Sequence, residues 1–204
     1  MDVLLDQSLA PPGLILGERT ALGPLRHELL AIYHRWHASL ETQVFAGWPA
    51  PLQPVTMERA EQWYSSASIA EAARWFTIYR TDGLQPIGFV VLRDIDQQHK
   101  TAEIGITIGE ASERGKGHGT EAMKLILDYA FTALGLGNVL LSVYEFNRGA
   151  VRAYEKAGFK VIGRRRKSHF AAGSMWDVIF MDCIAGEFRS PALVEALGVR
   201  APSP

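Results

Sequence analysis

The sequence has a single cysteine, Cys183, in 204 residues, so neither an internal disulfide nor a cysteine-based metal cage can form. No stretch approaches the roughly 18 apolar residues that a membrane span needs. No basic segment precedes the short apolar stretch in Met1-Asp2-Val3-Leu4-Leu5-Asp6, so no secretory signal is expected there. Neither sign of charge dominates. The chain carries 21 Lys+Arg against 22 Asp+Glu, which gives no electrostatic case for nucleic acid or an anionic membrane as a partner. Internal repeats and low-complexity tracts are also missing. These absences lead to the expectation of a cytoplasmic protein. What is present is a composition 48% hydrophobic and 21% charged, sufficient to bury a real core. The length falls short of two average domains of roughly 150 residues each. One domain over residues 14–183 is therefore expected, with a lead-in at 1–13 and a tail at 184–204.

Hydrophobic spacing divides the chain into elements. Leu14–Leu16 reads as a first strand. Leu25, Leu29, Ile32, Tyr33, Trp36 and Leu40 recur at three- and four-residue steps, which predicts one amphipathic helix over 25–40. Prolines 49, 51 and 54 force a loop, and Thr56 can cap a second helix running through Trp63 towards Ser66 or beyond. The period then changes. Residues 75–79 and 87–92 read as strands joined at the turn signal Asp82-Gly83, and 102–108 as another. A long helix carries Ala122, Met123, Ile126, Leu127, Ala130, Phe131 and Leu134 on one face and stops at Gly135. Strand 139–143 follows, then a short helix capped by Asn147 and ended by Gly158. Strands at 159–163 and 175–181, and a short helix at 191–197, complete the series. Helices and hairpins followed by a strand–helix–strand–helix–strand unit predict a mixed α+β sheet.

Between the strand at 102–108 and the long helix lies Arg114-Gly115-Lys116-Gly117-His118-Gly119-Thr120. Glycines let a backbone approach a ligand closely. The first turn of a helix offers unpaired N–H groups and a partial positive charge, so the segment suits a phosphate. Thr120 adds a hydroxyl, and Arg114 and Lys116 add charge, while His118 mainly contributes its N–H. A dinucleotide fingerprint would need glycine where Thr120 stands, and a P-loop would need a different spacing between Gly109 and Gly115.

Arg114-x-x-Gly117-x-Gly119, at a strand-to-helix turn, resembles the acetyl-coenzyme A loop of the GNAT N-acetyltransferase superfamily. The match extends through Gly119–Ala122, Asp128–Phe131, Leu134–Leu136, Asn147–Ala150 and Tyr154–Phe159, and is similar to the RimJ/RimL-like branch. The resemblance implies a mostly antiparallel central sheet with flanking helices, in which strands 102–108 and 139–143 part. It implies that the backbone of Ile106, Thr107 and Ile108 pairs with the pantetheine arm of acetyl-CoA, much as an added strand would. It also implies that the amides from Gly115 to Thr120 hold the diphosphate, and that Asn147 and Tyr154 lie near the pantetheine and the thioester sulfur. Family members often pair as dimers, so a homodimer is expected.

Acetyl transfer needs a neutral amine, a polarised thioester and a proton for the departing thiolate. Tyr154 is the candidate acid. Glu103, Gly105 and Thr107 share one face of their strand, so Glu103 can face the acceptor as base, directly or through water, or be a structurally paired glutamate. An α-amine with a pKa near 7.7–8.0 asks little of a base, whereas a lysine-like amine near 10.4 costs roughly 4 kcal/mol to deprotonate at neutral pH. With no Asp/His pair marking a strong base, a low-pKa amine is favoured. Cys183 lies on a terminal strand away from the loop, so direct attack is expected rather than an acyl-enzyme. A sensor that binds acyl-CoA without turnover, or a different acyl donor, stays open.

Other clusters have plainer readings. His34, His37 and Glu41 share a helical face at metal-like spacing, but a solvated polar face is expected and no metal is. Arg164-Arg165-Arg166-Lys167 with His169 reads as largely solvated, or as meeting the cofactor's 3′-phosphate or an acidic acceptor. Trp48, in the proline-rich loop, is a candidate for the acceptor pocket.

Overall fold

The computed structural model describes residues 13–46, 52–189 and Leu193. Most of the lead-in, Trp48 with its loop, and all of the 191–197 helix except Leu193 lie outside them. The element order is β1 (Ile15–Leu16), β2 (Thr20–Pro24), α1 (Leu30–Ala38), α2 (Leu40–Ala46), α3 (Met57–Ile69), β3 (Arg74–Arg80), β4 (Pro86–Asp96), β5 (Thr101–Ile108), α4 (His118–Asp128), β6 (Asn138–Tyr144), α5 (Arg148–Ala157), β7 (Lys160–Ala171) and β8 (Ser174–Ile184). The eight strands form one sheet in the order β1-β2-β3-β4-β5-β6-β8-β7. Every neighbouring pair is antiparallel except β5 and β6. This is the mixed, mostly antiparallel α+β architecture expected.

Each face of the sheet has its own core. On one face α4 buries Met123, Ile126 and Leu127 against Val90, Leu92, Ile104 and Leu141, at roughly 1.5–3 kcal/mol for each large side chain buried. The helix continues through one π-helical turn, Tyr129–Ala133, closed by the Leu134 N–H donating to the Tyr129 carbonyl at 3.2 Å. The opposite face is aromatic. Tyr33, Trp36 and Phe89 are buried, and Trp63 meets Trp75 at 5.3 Å and Tyr33 at 5.5 Å between centroids, both edge-on, the geometry that ring quadrupoles favour. Gly109 is required by this packing: a Cβ there would lie 2.2 Å from Trp36 Cγ.

Three expectations need correction. The 25–40 segment is not one helix. It opens with a 3-10 turn over His27–Leu29, and Ser39 then adopts extended backbone and separates α1 from α2. Its Oγ accepts from the Thr42 N–H at 3.3 Å, so the competing side-chain cap restarts the helix. The last two strands run much further than 159–163 and 175–181. They form a long hairpin turning at Ala172 and Gly173, both at positive φ, as a two-residue turn demands, with an irregularity between Arg165 and His169 that hides the alternation. Finally, His34, His37 and Glu41 do not form a solvated face. His37 packs edge-on against Trp63 and Phe89 at 4.5 and 5.1 Å, and burial, helped by His34, lowers its pKa to about 4. His34 Nε2 meets the Val55 carbonyl at 2.7 Å, and Glu41 pairs with Arg114.

Candidate active site

The two parallel strands touch only at their beginnings. Thr101, Ala102 and Glu103 pair with Asn138, Val139 and Leu140, and pairing then stops. Beyond that point β5 stays with β4 and β6 turns towards β8. A cavity of about 570 Å³ opens where they part, lined by Ile104–Ile108 of β5 and Ser142, Val143 and Tyr144 of β6. Gly115, Gly117, Gly119 and Thr120 line it on the α4 side, Asn147 and Tyr154 come from α5, and Thr42 and Phe45 of α2 border the aromatic side. The cleft thus passes through the sheet from one core to the other.

The glycine turn is held from behind. Gly115 and Gly117 have φ of +75° and +94°, a region costly for any residue with a Cβ, and Gly117 is the N-cap of α4. That conformation brings the first amides of α4 to the cavity wall. Arg114 lines the cavity, but its guanidinium is committed: Nε donates to the Ile108 carbonyl at 2.9 Å, Nη2 to Thr42 Oγ1 at 3.3 Å, and Nη1 pairs with Glu41 at 2.8 Å. Its charge is spent fastening α2 to the loop rather than offered to a phosphate. Lys116 and His118 are not on the wall. Both point to Glu113, at 3.2 Å each, and Arg80 joins them at 3.4 Å. His118 Nδ1 also meets Thr20 Oγ1 at 3.0 Å. Burial works to raise the Glu113 pKa, but Lys116, Arg80 and His118 outweigh it and hold the carboxyl below the usual glutamate range. The loop is braced by a shared, nearly buried carboxylate.

On α5, Asn147 Oδ1 accepts from the Ala150 N–H at 3.2 Å and caps the helix, while Nδ2 donates to the Phe45 carbonyl at 3.5 Å. Tyr154 stands on the same helix at the cavity wall. Burial pushes its pKa up to about 12, so the phenol keeps its proton throughout the physiological range. Glu103 sits at the apex of the split, opposite Arg93 of β4, and the two form an ion pair. Arg93 lines the cavity and Glu103 does not. The carboxylate is therefore engaged with Arg93 rather than presented to the cleft, which is the structurally paired arrangement. The structure thus brings together the Ile106–Ile108 backbone, the glycine turn, Thr120, Asn147 and Tyr154, and leaves the Lys116, His118 and Glu103 side chains behind the wall.

Sequence reasoning missed Glu113, Arg80 and Arg93, and placed Glu41 on a solvated face rather than against Arg114. Each acquires its role from a partner on another element; the alternation of β5 assigned Glu103 a face, but the continuous apolar run of β4 before Arg93 gave no matching signal. Of the basic run, Arg164 pairs with Glu145 at 3.2 Å, Arg165 and Arg166 are exposed, and His169 stacks on Tyr144 at 3.6 Å. Cys183 is buried in β8, its thiol pushed up to about 11 by burial.

A family model described as an acetyltransferase (GNAT) domain matches residues 19–160. The chain belongs to the GNAT acetyltransferase family. Among its relatives, the spermidine N(1)-acetyltransferase of Escherichia coli K12 is 37% identical over 107 residues, 52% of this chain and 56% of that protein. The chain thus spans little more than half the length of that relative. Human alpha/beta-tubulin-N-acetyltransferase 9 is 30% identical over 161 residues, 73% of this chain and 76% of that one. The spermidine N-acetyltransferase of Vibrio cholerae, solved with CoA and spermine, superposes with a TM-score of 0.74 at 26% identity, covering 84% of this chain and 98% of that one. These GNAT relatives are named as spermidine and tubulin N-acetyltransferases.

Proposed function

We propose that this GNAT protein is an acetyl-CoA-dependent N-acetyltransferase that acts on a primary amine by direct attack in a ternary complex. The observation that carries the reading is the through-sheet cleft, with helix-capping glycines at one end and the phenol of Tyr154 on its wall. The residues fit the donor. The α4 amides from Gly117 onward would hold the diphosphate, and the free edge of Ile106–Ile108 would hydrogen-bond the amide-bearing pantetheine arm. The donor, when bound, supplies an electrophilic thioester. The chain supplies alignment, exclusion of water, and a proton held at Tyr154 Oη for the departing thiolate. With Glu103 tied to Arg93, the amine proton leaves through water, which suits an acceptor of low pKa. The buried Cys183 offers no accessible thiolate for an acyl-enzyme. The RimJ/RimL-like assignment, with a peptide α-amine as acceptor, stands beside the polyamine chemistry for which the relatives are named.

Residues 14–183 form the catalytic domain of this proposal. A reduced thiol suits the cytoplasm. Exposed Val161 and Ile162 on the β7 edge support self-association, at the least a homodimer, and a spermidine N-acetyltransferase from Vibrio cholerae is described as dodecameric. The test is release of the CoA thiol from acetyl-CoA against a panel of α-amines, aminoalkyl compounds and polyamines. Turnover with any of them supports the enzyme. Tight acetyl-CoA binding with no release from any amine makes it a sensor, and faster release from succinyl- or longer acyl-CoA reassigns the donor.

A further inference from the structure

The charges on the cleft wall say what kind of amine it accepts. Among the described residues lining it, the acidic side chains are Glu41 and Glu113, and both are engaged: Glu41 with Arg114, and Glu113 with Lys116, His118 and Arg80. The cationic ones are Arg93, Arg114, Arg152 and Lys156. On the aromatic side of the sheet, away from the glycine turn, the β4 face presents Phe89, Val91 and Arg93 in succession. Arg93 is therefore the charged group that β4 and β5 show to the acceptor half. Its Nη2 is fixed by Glu103 from behind, and Asp94 lies 3.9 Å from its Nε. Its side chain is 40% exposed. A guanidinium has five N–H donors, so one edge stays available for a second acceptor, and a planar fork already held in place is organised for a bidentate oxyanion. A polycation would meet an unlike arrangement: the donors that Glu103 leaves on the guanidinium cannot accept from an ammonium, and the wall carboxylates are already taken.

We infer that Arg93, braced by Glu103, is the acceptor-specificity residue, and that the acceptor is a primary amine carrying an oxyanion, a carboxylate or a phosphate, rather than a polyamine. This rests on the acetyltransferase reading above, and on the cleft charges rather than on the chemistry of the relatives. It also assigns Glu103 a task other than base: it aims the guanidinium.

The experiment uses the full chain with two readouts. In the first, CoA release is measured with amino carboxylates of graded spacing, aminoalkyl phosphates, uncharged primary amines, putrescine and spermidine. The expected result is a kcat/KM at least about tenfold higher for one of the two anionic series than for the polyamines, and the series that wins names the oxyanion. Arg93→Ala lowers that value about 10- to 100-fold, the range expected for lost hydrogen bonds to a charged group. It leaves uncharged amines and the KM for acetyl-CoA within about twofold, and Arg93→Lys restores part of the loss. The second readout needs no turnover: calorimetry of an N-acetylated amino carboxylate or phosphate with CoA-saturated protein, where the binding heat disappears in Arg93→Ala. Anion binding without release from any amine overturns the enzyme but keeps the Arg93 assignment. Spermidine as the best acceptor, or equal losses across all amines in Arg93→Ala, overturns the assignment while leaving an acetyltransferase.

Discussion

The two halves of the cleft are built from different materials. On the α4 side the wall is mostly backbone: glycine amides at a helix start and the unpaired edge of a strand. On the aromatic side it is side chains drawn from α2 and β4, of which Thr42 and Arg93 are held by partners elsewhere in the chain. A main-chain site recognises what is common to every member of a ligand class, because each residue offers the same amide. A side-chain site recognises what distinguishes one ligand from another and can change by single substitution. On the proposed acetyltransferase reading, donor binding and acceptor choice are therefore separable, and disturbance of each half should register in different kinetic constants.

Tyr154, between the halves, gives the largest expected effect. Tyr154→Phe lowers kcat for CoA release by about two to four orders of magnitude and leaves the KM for acetyl-CoA within about twofold. Because burial holds the phenol's pKa at about 12, an alkaline fall in kcat below pH 10 is not caused by Tyr154, and the wild-type pH profile up to that point checks this.

On the donor side, Gly117→Ala places a Cβ at φ +94° and costs about 1–2 kcal/mol, or roughly 2–8 °C in Tm for a chain of this size. The KM for acetyl-CoA rises by about 3- to 10-fold as the amides lose alignment, while the order of preference among amines is unchanged. A changed order would mean that the halves are not separable.

Behind the loop, Glu113→Gln removes the carboxylate shared by Lys116, Arg80 and His118. A carboxyl whose folded pKa is depressed stabilises the fold above its unfolded value, and that contribution is lost as pH falls through the folded value. The Tm gap between wild type and variant is therefore widest above about pH 4.5 and closes below it, as thermal unfolding across pH 3–8 would show. The smallest effect belongs to Cys183. With the thiol buried and its pKa pushed up to about 11, alkylating reagents leave CoA release within about twofold of the untreated protein, and rapid inactivation would put a working thiol in the cleft.

The same division explains what was legible in the sequence. The glycine turn, the helix it starts and the cap of α5 can be read because their signals are local: closely spaced glycines, a 3.6-residue stripe, and Asn147 ahead of a short helix. The parting of the strands and the place of Tyr154 have no such local signal and came only with the family resemblance. Residues whose meaning is tertiary cannot be read that way. Arg114 looked like a phosphate ligand until Thr42, 72 residues away, and Glu41 claimed its guanidinium. Glu103 looked like a base until Arg93 was placed across from it. His37 belongs to a helical face that is polar by composition, and it is buried because α3 lays Trp63 over it. The break at Ser39 had a local signal, a serine able to cap, but the continuing apolar stripe masked it.

The parting of β5 and β6 also places a sheet edge in the interior. Edges at a rim invite strands from other chains, and proteins usually blunt them with charge, proline or a covering loop. The edge at Ile106–Ile108 is sheltered by geometry instead. It lies within a cleft of about 570 Å³ whose other walls are the glycine turn and α5. The fold thereby keeps an edge's hydrogen-bonding capacity away from the rim, where only a partner entering between those walls can reach it.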